Sequence, residues 1–274
     1  MRKYIVIGNP ITHSLSPRIH NHWMKKYHLV NSIYEKRKVE IKNLKQIIKE
    51  VRDEEIFGVN VTVPFKKSVI PFLDGLDVCA RETQSVNTIY KKNNKIIGAN
   101  TDSIGFGDTI DDLYPQYGLT ANQLDEKHIF ILGAGGVTSS IISALKSKGG
   151  KIIISNRTKS KAEELKKLFP KIEILDWGKK PKICDIIINT TSIGLIEGEK
   201  INIDFSNYNK DKSKLFYDLI YNPKETNFLK DARLRENKTK NGKMMFLNQA
   251  KYAFNIWTNI LPDIDDEVIK LLEK

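Results

Sequence analysis

Residues 127–138 restrict the fold more than any other stretch of the chain. Lys127-His128-Ile129-Phe130-Ile131-Leu132 is a nearly continuous apolar run, as strands buried on both faces of a parallel sheet are. It leads into Gly133-Ala134-Gly135-Gly136-Val137 and then into a helical pattern over residues 138–148. A glycine turn between strand and helix lets the backbone approach a pyrophosphate at the positive end of the helix. Thr138 stands where the general fingerprint has its third Gly or Ala, a position that governs helix–strand packing rather than phosphate contact.

The next strand, residues 151–155, ends in Asn156-Arg157-Thr158. NAD enzymes place an acid roughly 20 residues past the glycines to bind the ribose 2′-hydroxyl. Here that place offers Arg157, with Lys161 one helical turn on. A carboxylate would repel a 2′-phosphate, whereas a guanidinium grips it with two prongs, so NADP is favoured over NAD. The plain alternative is an exposed Arg at a helix start. Residues 184–189 read as a strand leading to Thr190-Thr191-Ser192-Ile193-Gly194, and residues 215–221 as another, followed by Asn222-Pro223. Strands alternating with helices imply right-handed crossovers and a parallel sheet.

The first half is also α/β in pattern. A strand over residues 4–8 ends in Gly8-Asn9-Pro10, and the loop after it carries Ser14 and Ser16. Pro17 suits a helix start, with Ser16 as N-cap of a helix over residues 18–27. Capping alone accounts for Ser16. Ser14 has no such explanation, and hydroxyls beside a helix N-terminus make a receptor for a carboxylate. A second strand over residues 32–39 precedes a helix capped by Asn43 and running to residue 52. In the third, residues 57–63, alternation puts Val59, Val61 and Val63 on one face and Asn60 and Thr62 on the other, until Pro64 stops the ladder. Lys66 then stands just past a strand end, where α/β sheets assemble small-molecule sites; the bland reading is a solvated lysine. A turn and short helix over residues 74–82 precede a hairpin, 85–90 with 95–100, around Asn93-Asn94. Asp102 follows it, and an N-cap is its plain alternative role. Near the C-terminus, residues 244–261 read as an amphipathic helix whose apolar residues belong to the core; Gln249, one turn after Met245, is the exception.

Composition excludes some functions. The 274 residues carry a formal net charge of +12, but the basic residues are mostly Lys in scattered pairs, without zinc spacing, a basic tail or an aromatic-interleaved groove. That argues against nucleic-acid binding, while a positive field still favours anionic small molecules. Cys79 and Cys184 lack metal-type spacing and fit a reduced, cytoplasmic enzyme. The 5 His and the acids show no ligand spacing, so no metal is expected. The apolar run at the N-terminus is too short for a signal peptide, and no stretch approaches a transmembrane helix.

Gly8-Asn9-Pro10 with Ser14 and Ser16, Asn60-Val61-Thr62-Val63-Pro64-Phe65-Lys66, Ser85-Val86-Asn87-Thr88 and Gly98-Ala99-Asn100-Thr101-Asp102, in that order, resemble the shikimate dehydrogenase family. The resemblance implies two α/β domains with a cleft between them. One is an N-terminal substrate domain, residues 1–102 completed by helices in 243–274; the other, residues 103–242, is a Rossmann-like NADP-binding domain. It implies that Ser14 and Ser16 hold the substrate carboxylate, that Asn60, Thr62, Asn87, Tyr221 and Gln249 also meet substrate, and that Lys66 and Asp102 form the catalytic pair. Gly133, Ala134, Gly135, Gly136 and Val137 would carry the pyrophosphate, and Asn156, Arg157, Thr158 and Lys161 the phosphorylated ribose. Thr191, Leu219, Gly242 and Met245 would complete the cofactor site. The expected activity is NADPH-dependent, reversible reduction of 3-dehydroshikimate to shikimate in a monomer or homodimer with no nucleic-acid or membrane partner. Lys66, partly desolvated, would act as general acid with Asp102 beside it, and coupled groups of this kind leave open which one transfers the proton. Quinate dehydrogenation is the nearest rival. A non-catalytic NADPH-binding regulator is a second, and the presence of both Lys66 and Asp102 argues against it.

Overall fold

The computed structural model describes residues 1–113, 124–208 and 214–272. The chain divides into two compact units, Met1–Gly105 with Phe246–Lys274, and Phe106–Met245. It passes from the first to the second within α4 (Thr101–Leu113) and returns within α8 (Lys243–Thr258).

In the first unit, β1 (Arg2–Gly8) lies parallel to both β2 (Ser32–Lys38) and β3 (Gly58–Val61), and β5 (Thr88–Lys92) runs antiparallel to β3 and to β6 (Lys95–Ala99). A two-residue strand, β4 (Gly75–Leu76), closes the order β2-β1-β3-β5-β6-β4. Alternation along the strands separates two faces. Ile5, Ile7, Val59 and Val61 meet Leu44, Ile47, Ile48 and Val51, the buried stripe of α2 (Leu44–Arg52), in one core. On the opposite face Tyr4 and Tyr34 meet the aromatic residues of α1 (Ser16–Lys26) and α8. Asn93 and Asn94 sit at φ 49° and 60°, the left-handed region that the β5–β6 turn was read to need. A short α3 (Val78–Thr83) is capped by Asp77, whose carboxylate accepts from the Ala80 N–H.

Three local expectations fail here. The strand expected over residues 57–63 stops at Val61, because the chain turns ahead of Pro64; Val63 is 63% exposed and does not share the buried face of Val59 and Val61. Asn43 precedes α2 without a side-chain bond, since a 3-10 turn at Ile41–Asn43 already holds it in helical dihedrals. Ser16 is not an N-cap. It is the first residue of α1, Leu15 holds the cap position, and no side chain caps the helix.

His20, one turn after Ser16, is fully buried, with neither ring nitrogen hydrogen-bonded, and stacks on Tyr34 at 4.2 Å between centroids. Burial lowers its pKa from 6.5 to about 3. Between those values the unfolded chain binds a proton that the folded chain does not, so His20 removes stability as pH falls from 6.5 toward 3. Over that window the unaltered protein is expected to lose about 1.4 kcal/mol per pH unit more than His20→Phe, measured by denaturant unfolding at a series of pH values. Parallel stability curves would remove His20 as the cause.

In the second unit, β7 (His128–Leu132), β8 (Lys151–Ser155), β9 (Glu173–Leu175), β10 (Ile186–Asn189), β11 (Leu215–Asp218) and β12 (Lys238–Asn241) form a sheet in the order β12-β11-β10-β7-β8-β9, every neighbouring pair parallel. Renumbered within the unit, this is the 3-2-1-4-5-6 order of dinucleotide-binding sheets. Ile129, Ile131, Ile154 and Ile188 pack with Ile141, Ile142 and Leu145 of α5 (Thr138–Lys146). Phe130, Leu132, Ile187 and Phe216 pack with Phe228 and Leu229 of α7 (Asn227–Leu234). The third helix is α6 (Lys159–Leu168), and a short α9 (Asp266–Lys270) lies near the C-terminus of the chain. β11 is shorter than the strand read over residues 215–221, which leaves Tyr221 in the loop after it. Among the described residues no helix is long and apolar enough to cross a membrane.

Candidate active site

Lys66 is not solvated. Its Nζ donates to Asp102 Oδ2 at 2.5 Å, and the two side chains are 11% and 6% exposed. The pair comes together because β3 and β6, which precede Lys66 and Asp102, run in the same direction within a single sheet and end at the same edge of it. Asp102 is in the first turn of α4, but its carboxylate is engaged by Lys66 and Asn87 rather than by capping. A buried ammonium held by one carboxylate is a proton donor with a fixed direction, and the pairing offsets the desolvation of each charge.

Asn87 organises the surroundings. Its Nδ2 donates to Asp102 Oδ1 at 2.9 Å, to Thr101 Oγ1 at 2.9 Å and to Gln249 Oε1 at 3.3 Å. Its Oδ1 accepts from the Thr101 N–H at 2.8 Å and from Thr88 Oγ1 at 3.0 Å. Gln249 reaches this cluster because Gly105 lets α4 and α8 touch: a Cβ on Gly105 would stand 2.6 Å from the Gln249 backbone nitrogen. Asn60 Nδ2 donates to the Asn87 carbonyl at 3.1 Å and to Thr88 Oγ1 at 3.2 Å. Ser14 Oγ donates to Ser16 Oγ at 3.3 Å, and Ser14 also accepts from the Ser16 N–H at 3.4 Å. Thr62 is half-buried after β3, and its methyl group occupies the place that a Cβ on Gly8 would need. Of the residues expected to meet substrate, the first unit thus links Asn60, Asn87 and Gln249 to the Lys66–Asp102 pair and joins Ser14 to Ser16. Tyr221 belongs to the second unit, half-buried, its phenol pushed up to about 12 by burial.

In the second unit the expected cofactor residues follow the carboxyl ends of the parallel strands. The glycine turn follows β7, and Asn156, Arg157 and Thr158 follow β8. Thr191 follows β10, Leu219 follows β11, and Gly242 and Met245 follow β12. Gly133 takes φ +112°, and a Cβ there would meet Thr190 Oγ1 at 2.5 Å, so only glycine fits between β7 and β10. Gly135 differs. A Cβ there would meet nothing within 4 Å, which leaves an open approach at the N-terminal end of α5. That opening fits a pyrophosphate, and Arg157 and Lys161, both exposed and unpaired with any carboxylate among the described residues, fit the 2′-phosphate of NADP. Asn156 Oδ1 accepts from the Ala134 N–H at 3.1 Å, tying the ribose segment to the turn. Thr138, the departure from the fingerprint, accepts from the Gly135 N–H at 3.0 Å and shares a 2.9 Å bond with Thr190. Its hydroxyl therefore braces the turn.

The sequence of residues 6–89 matches the family model for the shikimate dehydrogenase substrate binding domain, and residues 118–233 match that for shikimate / quinate 5-dehydrogenase. The chain is 53% identical over 273 residues to the shikimate dehydrogenase (NADP(+)) of Pelagibacter ubique, covering 99% of each protein. It belongs to the shikimate dehydrogenase family. Among solved structures it is similar to the shikimate dehydrogenase of Aquifex aeolicus, with a TM-score of 0.86 and 34% identity, covering 100% of this chain and 96% of that one. It is also similar to the shikimate 5-dehydrogenase of Thermus thermophilus in complex with NADP(H) and shikimate, with a TM-score of 0.85 and 28% identity, covering 100% of this chain and 99% of that one.

Some of the residues that shape the candidate sites of the two units escaped the sequence reading. Thr88 and Thr101 each bond the Asn87 side chain, and their place beside Asn87 and Asp102 was the available signal. Asn189 and Asp218 end two apolar strands in matched register, a polar pair that strand-end position could have marked. Burial pushes Asp218 up to about 6, against bonds from the Thr226 hydroxyl, the Ile220 N–H and Asn189 Nδ2. Asn189 Oδ1 in turn accepts from the Thr191 N–H and hydroxyl, so a buried carboxylate shapes the loop that carries Thr191. Tyr34 gave no signal, because an aromatic residue inside a strand is what core packing alone would select.

Proposed function

We propose that this chain catalyses the reversible NADPH-dependent reduction of 3-dehydroshikimate to shikimate, a step of aromatic amino acid biosynthesis, in the cytoplasm. The observation that carries this reading is the buried Lys66–Asp102 pair at 2.5 Å, joined through Asn87 to Asn60 and Gln249. Ser14 and Ser16 receive the carboxylate, and Asn60, Thr62, Asn87 and Gln249 receive the hydroxyl groups; Tyr221 is assigned to the substrate on the family resemblance alone.

The nicotinamide, when bound, supplies the hydride in reduction and accepts it in oxidation. The residues of the chain handle the proton. As the carbonyl carbon gains the hydride, the C=O π electrons pass to oxygen, and Lys66 delivers an N–H proton to that oxygen. Asp102 keeps the ammonium aimed and stabilises it before transfer, while Asn87 fixes the other carboxylate oxygen. In oxidation the same pair takes the hydroxyl proton as the C–H bond breaks. Charge developing on oxygen is met by hydrogen bonds and the ammonium. Gly133–Val137 carries the pyrophosphate; Asn156, Arg157, Thr158 and Lys161 carry the phosphorylated ribose; Thr191, Leu219, Gly242 and Met245 form the rest of the cofactor site.

The test is absorbance at the NADPH band with shikimate, run against quinate and against NAD. The proposed reading expects turnover with shikimate and NADP in clear excess over the other three combinations. Comparable rates on quinate would make this a dual-specificity dehydrogenase, and tight NADPH binding with no turnover on either acid would make it a binding protein.

A further inference from the structure

Tyr34 lies in the middle of β2, 1% exposed, with its ring stacked on His20. Its hydroxyl donates to Asn60 Oδ1 at 2.7 Å. The direction of that bond is settled by the rest of the amide. Asn60 Nδ2 faces the Asn87 carbonyl, which can only accept, so the amide oxygen is the atom left for the phenol. Burial holds the Tyr34 phenol well above its usual range, so the group stays protonated and keeps donating.

A chain of oriented hydroxyls and amides results. It runs from Tyr34 to Asn60, and from Asn60 through Thr88 and Asn87 to the carboxylate that holds Lys66. Tyr34 opens it, at the end away from Lys66. We propose that Tyr34 is a positioning residue for the substrate, its buried hydroxyl setting the Asn60 amide so that Asn60 meets the hydroxy acid in one fixed orientation.

This inference rests on the substrate assignment proposed above. Asn60 would hold the substrate in the ground state and transition state alike, so losing its orientation acts on KM rather than on kcat. Tyr34→Phe removes one oxygen and keeps the stacked ring. It is expected to raise KM for shikimate about five- to thirtyfold, the range of one ordinary hydrogen bond lost with a buried acceptor left unpaired, while kcat and the NADP Kd stay within about twofold. A purely structural tyrosine would lower Tm without that split between KM and kcat. The KM penalty of Tyr34→Phe should also shrink on an Asn60→Ala background, because the two groups share a bond. Turnover by the unaltered protein together with an unchanged KM in Tyr34→Phe, or with additive penalties in the double variant, overturns this inference alone. Failure of the unaltered protein to turn over shikimate overturns the functional reading and this inference with it.

Discussion

Lys66→Ala is expected to lower kcat for shikimate oxidation by about 10²- to 10⁴-fold, the usual contribution of a positioned acid–base group, while leaving the NADP Kd within about twofold. Two observations set that expectation. The ammonium donates to Asp102 at 2.5 Å, and Lys66 belongs to the first unit whereas the glycine turn belongs to the second. Removing Lys66 also strands a carboxylate that is 6% exposed, so some loss of stability accompanies the loss of rate. Steady-state kinetics with NADP binding measured separately distinguishes the two effects. Asp102→Asn is the companion variant, since its amide oxygen can still accept from Asn87. A kcat loss similar to that of Lys66→Ala would mean that Lys66 works only with the carboxylate that aims it. Unchanged kcat in Lys66→Ala would remove Lys66 from the chemistry.

Arg157→Ala has the second large expected effect, and it acts on the cofactor alone. An exposed guanidinium with no carboxylate partner among the described residues, after β8, is free to grip a phosphate in two-pronged fashion. A charged hydrogen bond is worth about 1.5–3 kcal/mol, so the NADPH Kd should rise about 10- to 150-fold. NADH lacks the 2′-phosphate, so its Kd should hardly move. Fluorescence titration of both reduced cofactors against both proteins reads the difference. Equal losses for NADPH and NADH would assign Arg157 to something shared by the two, such as the pyrophosphate, and would leave Lys161 as the basis of any remaining preference.

Much of the second unit was legible because its signals are local. An apolar pentapeptide, a glycine turn and a helix follow one another without a gap, and β7 and α5 lie where that pattern put them, the helix ending two residues early. Arg157 follows β8, at the strand end where the sequence lacks an acid and offers a base. Expectations failed where local signals compete with neighbours in space. Ser16 has the composition of an N-cap and Asp102 that of a helix start, yet Ser16 bonds Ser14 and Asp102 bonds Lys66 and Asn87. Val63 continues an alternating pattern, but the strand had already ended.

Alone, the sequence determined the α/β alternation, the glycine turn, the basic residues after β8 and the residue types able to move a proton, because each depends on neighbours a few positions away. Only the tertiary structure decided which of those groups meet. Lys66 and Asp102 are 36 residues apart, and Asn87 and Gln249 are 162 apart. Such pairs form where strand order and one glycine-mediated helix crossing bring chain ends together. Tyr34 belongs to that second class: its ring is explained by the core, and its hydroxyl takes on meaning once Asn60 is beside it.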